Sequence, residues 1–281
     1  MSFEVIALPY SWIHKKGSSS RFENLLNLIN ASYNKPRYKF GIIKTPRIKN
    51  NQSILLDLAI GVDDEICIYL LLGKDEIFED LFDKDGYKRD LTKESINVTQ
   101  AFSNDIPERY YSVFDLAQLS NAGIVFADEE FELTNDVLNR CIASVGLRSF
   151  HDKLKSGIKE FELTAFTSFM RNTAPAFLNF VINNCLLNED RFAKLSQAGL
   201  LNDYNKIVIH ADVIKEHGLV EYYTKKCSFV QSLRPDVHVT VAEDMKAAEG
   251  IFEKGVLAAR DFHISFLERE INIDRHIDVV L

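Results

Sequence analysis

The segments that decide the fold class are KIVIHADVI at residues 206–214, DVHVTVA at 236–242 and FHISFL at 262–267. Each is short and rich in β-branched or aromatic residues, which is typical of a β-strand. Two longer segments with helical periodicity lie between them, Glu216–Cys227 and Glu243–Arg260. This alternation predicts a β-α-β-α-β unit at the C-terminal end of the chain.

The N-terminal part of the chain is predicted to be rich in strands. The runs that support this prediction are Phe3–Ile13, Tyr38–Ile48, Ser53–Val62 and Glu65–Gly73. A helix is predicted at Arg21–Ala31, where the apolar residues form one stripe.

The middle of the chain is predicted to be helical. From Leu147 to Phe169 the apolar residues recur every three or four positions, as on one face of a helix. Pro175 after Thr173 indicates the start of a further helix, because proline is tolerated in a first turn. The chain is therefore predicted to be an α+β protein, with a β-rich domain at 1–133 and a helical plus α/β domain at 134–281.

Composition places the chain among ordinary globular proteins, with 46% hydrophobic and 26% charged residues in 281. The cysteines Cys67, Cys141, Cys185 and Cys227 are widely spaced, which predicts buried thiols and a reducing, cytoplasmic compartment. The least charged stretch, Phe161–Leu187, contains too many polar side chains for a membrane span. The sequence has no cofactor fingerprint and no spaced set of metal ligands, so neither a cofactor nor a metal is predicted.

Charge is strongly sorted along the chain. Residues 1–50 carry a net charge of +7, and residues 51–136 carry −14. Basic residues interleaved with aromatic ones are typical of nucleic-acid or phosphate binding. The same block could instead be neutralised by the acidic segment, within the chain or across an oligomer. The candidate binding residues are Lys15, Lys16, Arg21, Lys35, Arg37, Lys39, Lys44, Arg47 and Lys49.

Two short motifs share one pattern, VHVTV at 237–241 and FHISF at 262–266. On a strand, a histidine and the hydroxyl two residues later point to the same face. The pattern resembles the H-x-[TS] signature of the two-histidine phosphoesterases. That resemblance implies acid or base roles for His238 and His263, and phosphate contacts for Thr240 and Ser265. The 24 residues between the two histidines predict neighbouring parallel strands joined by one helix.

Two weaker patterns, one at His210 and Asp212 and one at Asp83–Gly86, have ordinary structural interpretations. His210 and Asp212 share one face of a predicted strand, where polar alternation is the common explanation. The segment Asp83–Gly86 resembles the start of an EF-hand loop. With Gly86 at the sixth position, however, Leu81 and Thr92 would stand where carboxylates are required.

These observations favour a soluble, cytoplasmic binding protein without catalysis of its own. Its partner would be a protein, a nucleic acid or a second copy in a homo-oligomer. The composition is also typical of accessory proteins in phage or bacterial defence. The alternatives are a phosphoesterase-like enzyme acting on a phosphodiester and a nucleic-acid-binding protein that uses the basic residues between 15 and 49.

Overall fold

The computed structural model describes residues 3–15, 19–150, 156–195, 200–248 and 255–273. Its strands form one mixed sheet in the order β3-β1-β2-β4-β5-β6-β9-β7, with β8 also paired to β9. The strands are β1 Phe3–Pro9, β2 Ile66–Gly73, β3 Gly123–Phe126, β4 Cys141–Ser149, β5 Ile158–Ser168, β6 Lys206–Ile214, β7 Val230–Gln231, β8 Val237–Val239 and β9 Phe262–Asn272.

The α-helices lie in the connections between these strands. They are α1 Tyr10–Ile13, α2 Glu23–Phe40, α3 Ile54–Asp57, α4 Asp75–Asp85, α5 Val98–Ser103, α6 Asn135–Arg140, α7 Thr173–Val181, α8 Glu189–Phe192 and α9 Leu219–Lys226. A π-helical turn at Ile182–Leu186 extends α7. Short 3-10 turns precede α2 at Ser19–Phe22 and follow β6 at Lys215–His217.

Most neighbouring strands are antiparallel, and two pairs are parallel. The parallel pairs are β1 with β3 and β5 with β6. Strands from both sides of residue 133 belong to the same sheet, because β2 pairs with β4 along most of its length. The division into two domains stays a prediction.

Both faces of the sheet are covered. In β2 every residue is buried, and alternate side chains enter two different apolar clusters. Tyr69 and Leu71 point to one side with α7 and α9, which we call the α7 face. Ile68 and Leu70 point to the other side with α2, which we call the α2 face. A strand buried on both faces reads as a continuous apolar run, as β2 does.

The α+β class is confirmed, and several element assignments in the β-rich N-terminal part are wrong. The predicted strand Tyr38–Ile48 is wrong, because α2 continues through Pro36 to Phe40 and residues 41–48 contain one isolated bridge at Ile43 and no strand. The predicted strand Ser53–Val62 contains a helical turn instead. In both places a short apolar run was compatible with either structure, and tertiary packing decided between them.

The prediction of a central helical segment is wrong for the first half of that segment. The stripe from Leu147 to Phe169 lies largely on β4 and β5, an antiparallel pair inside the sheet. Interior strands carry apolar residues on both faces, and such runs can match a helical spacing by coincidence. The helix predicted to start at Thr173 is confirmed as α7.

The prediction of a β-α-β-α-β unit is wrong for the second half of the unit. Of the predicted helix Glu243–Arg260, residues 243–248 and 255–260 are described, and they form turns and isolated bridges. Strands β8 and β9 are therefore an antiparallel pair rather than parallel neighbours joined by a helix. Strand β6 also pairs antiparallel with β9. Helix α9 is the α-helix that follows β6 in the chain.

Candidate functional site

The neighbouring parallel strands β5 and β6 separate at their carboxyl ends. They are paired over Ile158–Glu162 and Lys206–His210. Beyond these pairs β5 stays with β4 and β6 stays with β9, and the two fully described strands make no further ladder pairs with each other. We call this gap the β5–β6 crevice. Open sheets commonly bind ligands outside the carboxyl ends of parallel strands.

A β-bulge bends β5 near the point where it leaves β6. The register between β4 and β5 shifts between Ser144 and Gly146, and Ala165 adopts a left-handed φ of 44°. Such a φ is uncommon for a residue other than glycine and has to be held by its surroundings. Because a bulge bends the strand that carries it, this one directs β5 away from β6.

Two tyrosines approach each other at the crevice from opposite faces of the sheet. Tyr33 belongs to α2, and Tyr223 belongs to α9. The Tyr223 ring packs edge-on against Phe166 of β5, with ring centroids 5.6 Å apart. Burial and the nearby Tyr33 phenol raise the pKa of Tyr223 well above its ordinary value. The Tyr223 hydroxyl is therefore a hydrogen-bond donor that persists even in alkaline solution.

A neutral histidine lies at the β6 end of the crevice. His217 follows β6 directly and stacks on Phe40 of α2, with ring centroids 4.9 Å apart. Burial lowers the pKa of His217 to about 4, although the Glu216 carboxylate acts in the opposite direction. Its Nε2 atom is buried and has no hydrogen-bond partner in the part of the chain that the structure describes.

A buried ion pair holds the carboxyl end of β5. Lys35 Nζ of α2 donates to the Ser168 carbonyl oxygen at 2.5 Å and to Asp105 Oδ1 at 2.7 Å. Burial lowers the pKa of Lys35 and raises the pKa of Asp105, while the attraction between the two charges opposes both shifts. These contacts attach the end of β5 to α2 and to the segment that follows α5.

Helix α7 begins a few residues after β5, at the rim of the crevice. Asn172 adopts a left-handed conformation, with φ 63° and ψ 1°, directly before the first helical residue Thr173. Thr173 is fully buried, and its Oγ1 atom has no hydrogen-bond partner among the described residues. Arg171 points outward and pairs with Glu108 at 2.9 Å. A shallow groove of about 340 Å³ runs beside this turn, lined by Tyr111, Ser112, Phe114, Asp115, Leu116, Met170, Arg171 and Asn172.

Most cations of the basic N-terminal block contact their own chain. Three are paired with carboxylates of the acidic segment, in the pairs Lys15–Glu130, Lys35–Asp105 and Lys49–Asp57. Two arginines donate to backbone carbonyl groups of the same segment, in the contacts Arg21–Glu129 and Arg47–Asp57.

The remaining candidates of this block are more open to solvent. Arg37 bonds to Asn34 on its own helix, and Lys39 and Lys44 are exposed. Lys16 lies outside the described residues. The observed pairs favour neutralisation of the block within the chain over an open basic face. Nucleic-acid binding by these residues stays a prediction.

The two histidines of the H-x-[TS] motifs are brought together. His238 and His263 are direct partners across β8 and β9, and their ring centroids are 4.9 Å apart. The hydroxyls are arranged differently from what the resemblance implies. In this antiparallel register Thr240 and Ser265 lie on opposite sides of the histidine pair, and Ser265 is fully buried. One phosphate group therefore cannot contact both hydroxyls in this structure.

His210 and Asp212 do not form a pair. His210 Nε2 lies 3.2 Å from Glu160 Oε1, and its ring stacks on Phe150 with centroids 3.8 Å apart. Asp212 is exposed, yet desolvation by the groups packed around its carboxyl and the neighbouring Glu162 carboxylate raise its pKa to about 6. These contacts fit the structural interpretation of a polar strand face.

Within the described ranges, no group of three or more His, Cys, Asp and Glu side chains is arranged to hold a metal ion. None of the helices in these ranges has the length and apolar character that are needed to cross a bilayer. The four cysteines are buried and carry free thiols, which confirms the burial predicted for them.

Sequence reasoning missed the residues of the crevice. Tyr33, Thr173, His217 and Tyr223 come from four separate elements, and no spacing along the chain connects them. A single local signal was available, since the helix start at Thr173–Pro175 was recognised. This signal points to a site only when the preceding segment is known to be strand β5 and not a helix.

The neutral state of His217 makes stability depend on pH. The unfolded side chain takes up a proton near pH 6.5, whereas the buried one does so only near pH 4. The unfolded state therefore binds more protons in this window, and stability should fall as the pH is lowered from 6.5 to 4. We expect His217→Phe, which preserves the ring stack, to show a shallower decline in urea unfolding over this range. Equal slopes for both proteins would contradict the assignment.

These features identify an α+β protein with one mixed sheet, whose central parallel strands part at their carboxyl ends and leave a crevice between helices of both faces. The sequence matches the family described as "Sporulation protein RMD6" over residues 1–271, and the chain belongs to that family.

The chain also matches a curated relative over nearly the full length of both proteins. The chain is 22% identical over 280 residues to the sporulation protein RMD6 of Saccharomyces cerevisiae, with 96% of each chain covered. This family membership gives no support to a role in phage or bacterial defence.

Proposed function

We propose that this chain binds a phosphorylated small molecule in the β5–β6 crevice. The observation that carries the proposal is the divergence of two paired parallel strands at their carboxyl ends, with α7 beginning at the rim. In open sheets this is the common position of a ligand, because the strand ends and the following helix present unpaired backbone groups there.

The first turn of α7 suits the phosphate group. Thr173 N–H is bonded to the Met170 carbonyl oxygen and Pro175 has no N–H, so this turn offers an anion the Ala174 N–H and the positive end of the helix dipole. The buried Thr173 hydroxyl is a donor that such an oxygen would satisfy. Arg171 stands on the rim, and its present ion pair with Glu108 is solvent-exposed, so exchanging that partner for a phosphate would cost little.

The facing edges of β5 and β6 suit an extended, amide-containing part of the same ligand. Leu163–Ser168 and Ala211–Ile214 are strand residues that make no ladder pairs with each other. An extended chain with peptide-like groups can bind such an edge as an added strand would. Tyr223 packs on Phe166 in the diverging part of β5, and His217 follows the end of β6, so both side chains offer hydrogen-bonding groups beside the crevice.

The proposal is tested by calorimetric titration with four probes: inorganic pyrophosphate, ADP, NAD⁺ and coenzyme A. We expect binding of those probes that carry a diphosphate. We also expect the tightest binding for coenzyme A, because it adds an extended arm with two amides. The absence of measurable binding for all four probes would overturn the proposal.

The variant Thr173→Val locates the phosphate. It preserves the shape of the side chain and removes the hydroxyl, so we expect affinity for every bound probe to fall by about tenfold, the effect of losing one hydrogen bond to a charged group. Thr99→Val is the matched control, because Thr99 is an exposed threonine at the start of another helix, α5. Equal affinities for the two variants would place the ligand elsewhere.

A sporulation role and a macromolecular partner are two further proposals, separate from the crevice ligand. The sporulation role in the name of the yeast relative would extend to this chain if both proteins bind the same ligand. A protein or nucleic-acid partner, or a second copy, would have the exposed Lys39 and Lys44 available for contact. Because counterions are released on binding to nucleic acid, that interaction should weaken steeply with salt, which distinguishes it from the crevice ligand.

A further inference from the structure

The histidine pair of β8 and β9 lies outside the crevice and has its own supporting groups. His263 Nδ1 lies 2.8 Å from Glu216 Oε1, and His238 Nε2 lies 3.3 Å from Asp261 Oδ2. Each imidazole therefore has one nitrogen next to a carboxylate and the other nitrogen free of that contact. The side chains of the two histidines are 51% and 45% exposed, so a solute can reach the free nitrogens.

Both carboxylates are held in place by the backbone. Glu216 accepts the His263 backbone N–H, with distances of 3.1 and 3.0 Å to its two oxygens. Asp261 Oδ1 accepts the Val241 N–H at 2.8 Å, which leaves Oδ2 for His238. A carboxylate that receives one ring N–H fixes the tautomer and the orientation of the imidazole. The lone pairs of His263 Nε2 and His238 Nδ1 are then directed away from the carboxylates.

This arrangement is the one that metal-binding histidines show. Histidines that ligate a metal commonly donate their second ring N–H to a carboxylate, which also makes the ligating nitrogen more basic. Two imidazoles on one tetrahedral ion are each bound at about 2.0–2.1 Å from metal to nitrogen. Ring centroids 4.9 Å apart are compatible with one ion held between the two rings.

The charges around the pair favour a cation over a phosphate. Glu216 and Asp261 contact the two rings, and Asp236, which faces β9 from the segment before β8, is paired with Lys215 at 2.6 Å. With neutral imidazoles this neighbourhood has more negative than positive charge. A phosphodiester would meet two carboxylates there, whereas a divalent cation would be attracted.

We propose that His238 and His263 together bind a borderline divalent transition metal ion such as Zn²⁺ or Cu²⁺. Glu216 and Asp261 act as positioning residues, and water or a second molecule completes the coordination. Two protein ligands leave the ion open on its solvent side. The ion is thus accessible to a further ligand. This site is independent of the crevice and of the function proposed for it.

The test uses untagged full-length protein that has been treated with a chelator and then titrated with ZnCl₂ or CuSO₄. We expect one ion per chain. We also expect a loss of affinity of at least about tenfold in His238→Ala and in His263→Ala, because each removes one of the two ligands. Glu216→Gln should weaken binding by about 10-fold to 100-fold without removing a ligand, which is the usual effect of changing such an outer contact.

The matched control is His14→Ala, which removes a histidine whose ring packs at a tilt against Tyr10, far from β8 and β9 in sequence. Its affinity for the metal should equal that of the unchanged protein. The Cu²⁺-loaded protein should show hyperfine coupling to two nitrogens in its electron paramagnetic resonance spectrum, and to one nitrogen at most in either histidine variant. Binding must also weaken at low pH, because a protonated imidazole cannot ligate.

Two results would overturn the proposal. One is equal metal affinity in the double variant of His238 and His263 and in His14→Ala. The other is binding of inorganic phosphate, but not of metal, that is lost in the same double variant. The second result would return the pair to the phosphoesterase interpretation. Because both histidines are substantially exposed, the alanine variants should fold, which circular dichroism verifies.

Discussion

Arg89→Met is expected to lower the free energy of unfolding by about 3 kcal/mol or more. Arg89 is almost completely buried, and its guanidinium group donates to three backbone carbonyl groups. Nε donates to Asn104 at 3.0 Å, and Nη1 donates to Asn139 at 2.9 Å and to Cys141 at 2.8 Å. Each carbonyl group that loses its donor costs about 1–3 kcal/mol when no water can replace it.

The methionine retains most of the aliphatic volume, so the loss of the donors is measured with little added cavity. Arg109→Met is the matched control, because Arg109 is exposed and its guanidinium group donates to the hydroxyl of the adjacent Tyr110 and lies over that ring. Urea unfolding should show a change within about 0.5 kcal/mol for the control. A loss of less than about 1 kcal/mol for Arg89→Met would mean that the three carbonyl groups find other donors.

The Arg89 contacts also support the crevice. The guanidinium group lies over the Phe169 ring, 5.0 Å from its centroid, and Phe169 follows directly after β5. Lys35 lies over the same ring at 4.9 Å. The carboxyl end of β5 is thus held by two buried cations, and weakening either one should reduce ligand affinity as well as stability.

Gly146→Ala is expected to destabilise the protein by about 1–3 kcal/mol and to disturb the crevice, which is the usual cost of forcing extra volume into a packed interior. A Cβ at this position would lie 2.7 Å from the Thr164 carbonyl oxygen and 2.9 Å from Thr164 Cγ2. Backbone atoms of the neighbouring strand cannot rotate away as a side chain can. The strand β5 would have to shift at its bulge, where it leaves β6.

Gly123→Ala is the control for this substitution. Gly123 begins the outer strand β3, and a Cβ there would meet no atom within 4 Å. Its stability should be unchanged or slightly higher, since alanine reduces the entropy of the unfolded chain. If Gly146→Ala were as stable as Gly123→Ala and bound ligand equally well, the close approach of β4 and β5 would not be needed for the crevice.

Some elements could be predicted because their sequence agrees with their final environment. Strand β2 was found because it is buried on both faces and reads as one apolar run bounded by polar residues. Helix α7 was found because Pro175 is favourable in a first turn and unfavourable later. Strands β4 and β5 were missed because interior strands lack the alternation that identifies a strand with one solvent face.

The histidine pair shows which features a short sequence motif can predict and which it cannot. The sequence marked His238 and His263 as a matched pair, and the structure places them side by side. What the motif could not show was the direction of the strands. An antiparallel register separates the two hydroxyls and brings Glu216 and Asp261 to the rings, which changes the ligand that the pair suits.

The α+β class, the burial of the four cysteines and the separation of charge along the chain can all be predicted from the amino-acid sequence. Which charges meet, and where β5 leaves β6, depends on the folded chain. A net charge adds up along the chain regardless of distance, whereas an ion pair such as Lys35–Asp105 requires contact between groups 70 residues apart. The crevice depends in the same way on contacts between distant segments, because Tyr33 and Tyr223 become neighbours only once α2 and α9 pack on opposite faces of one sheet.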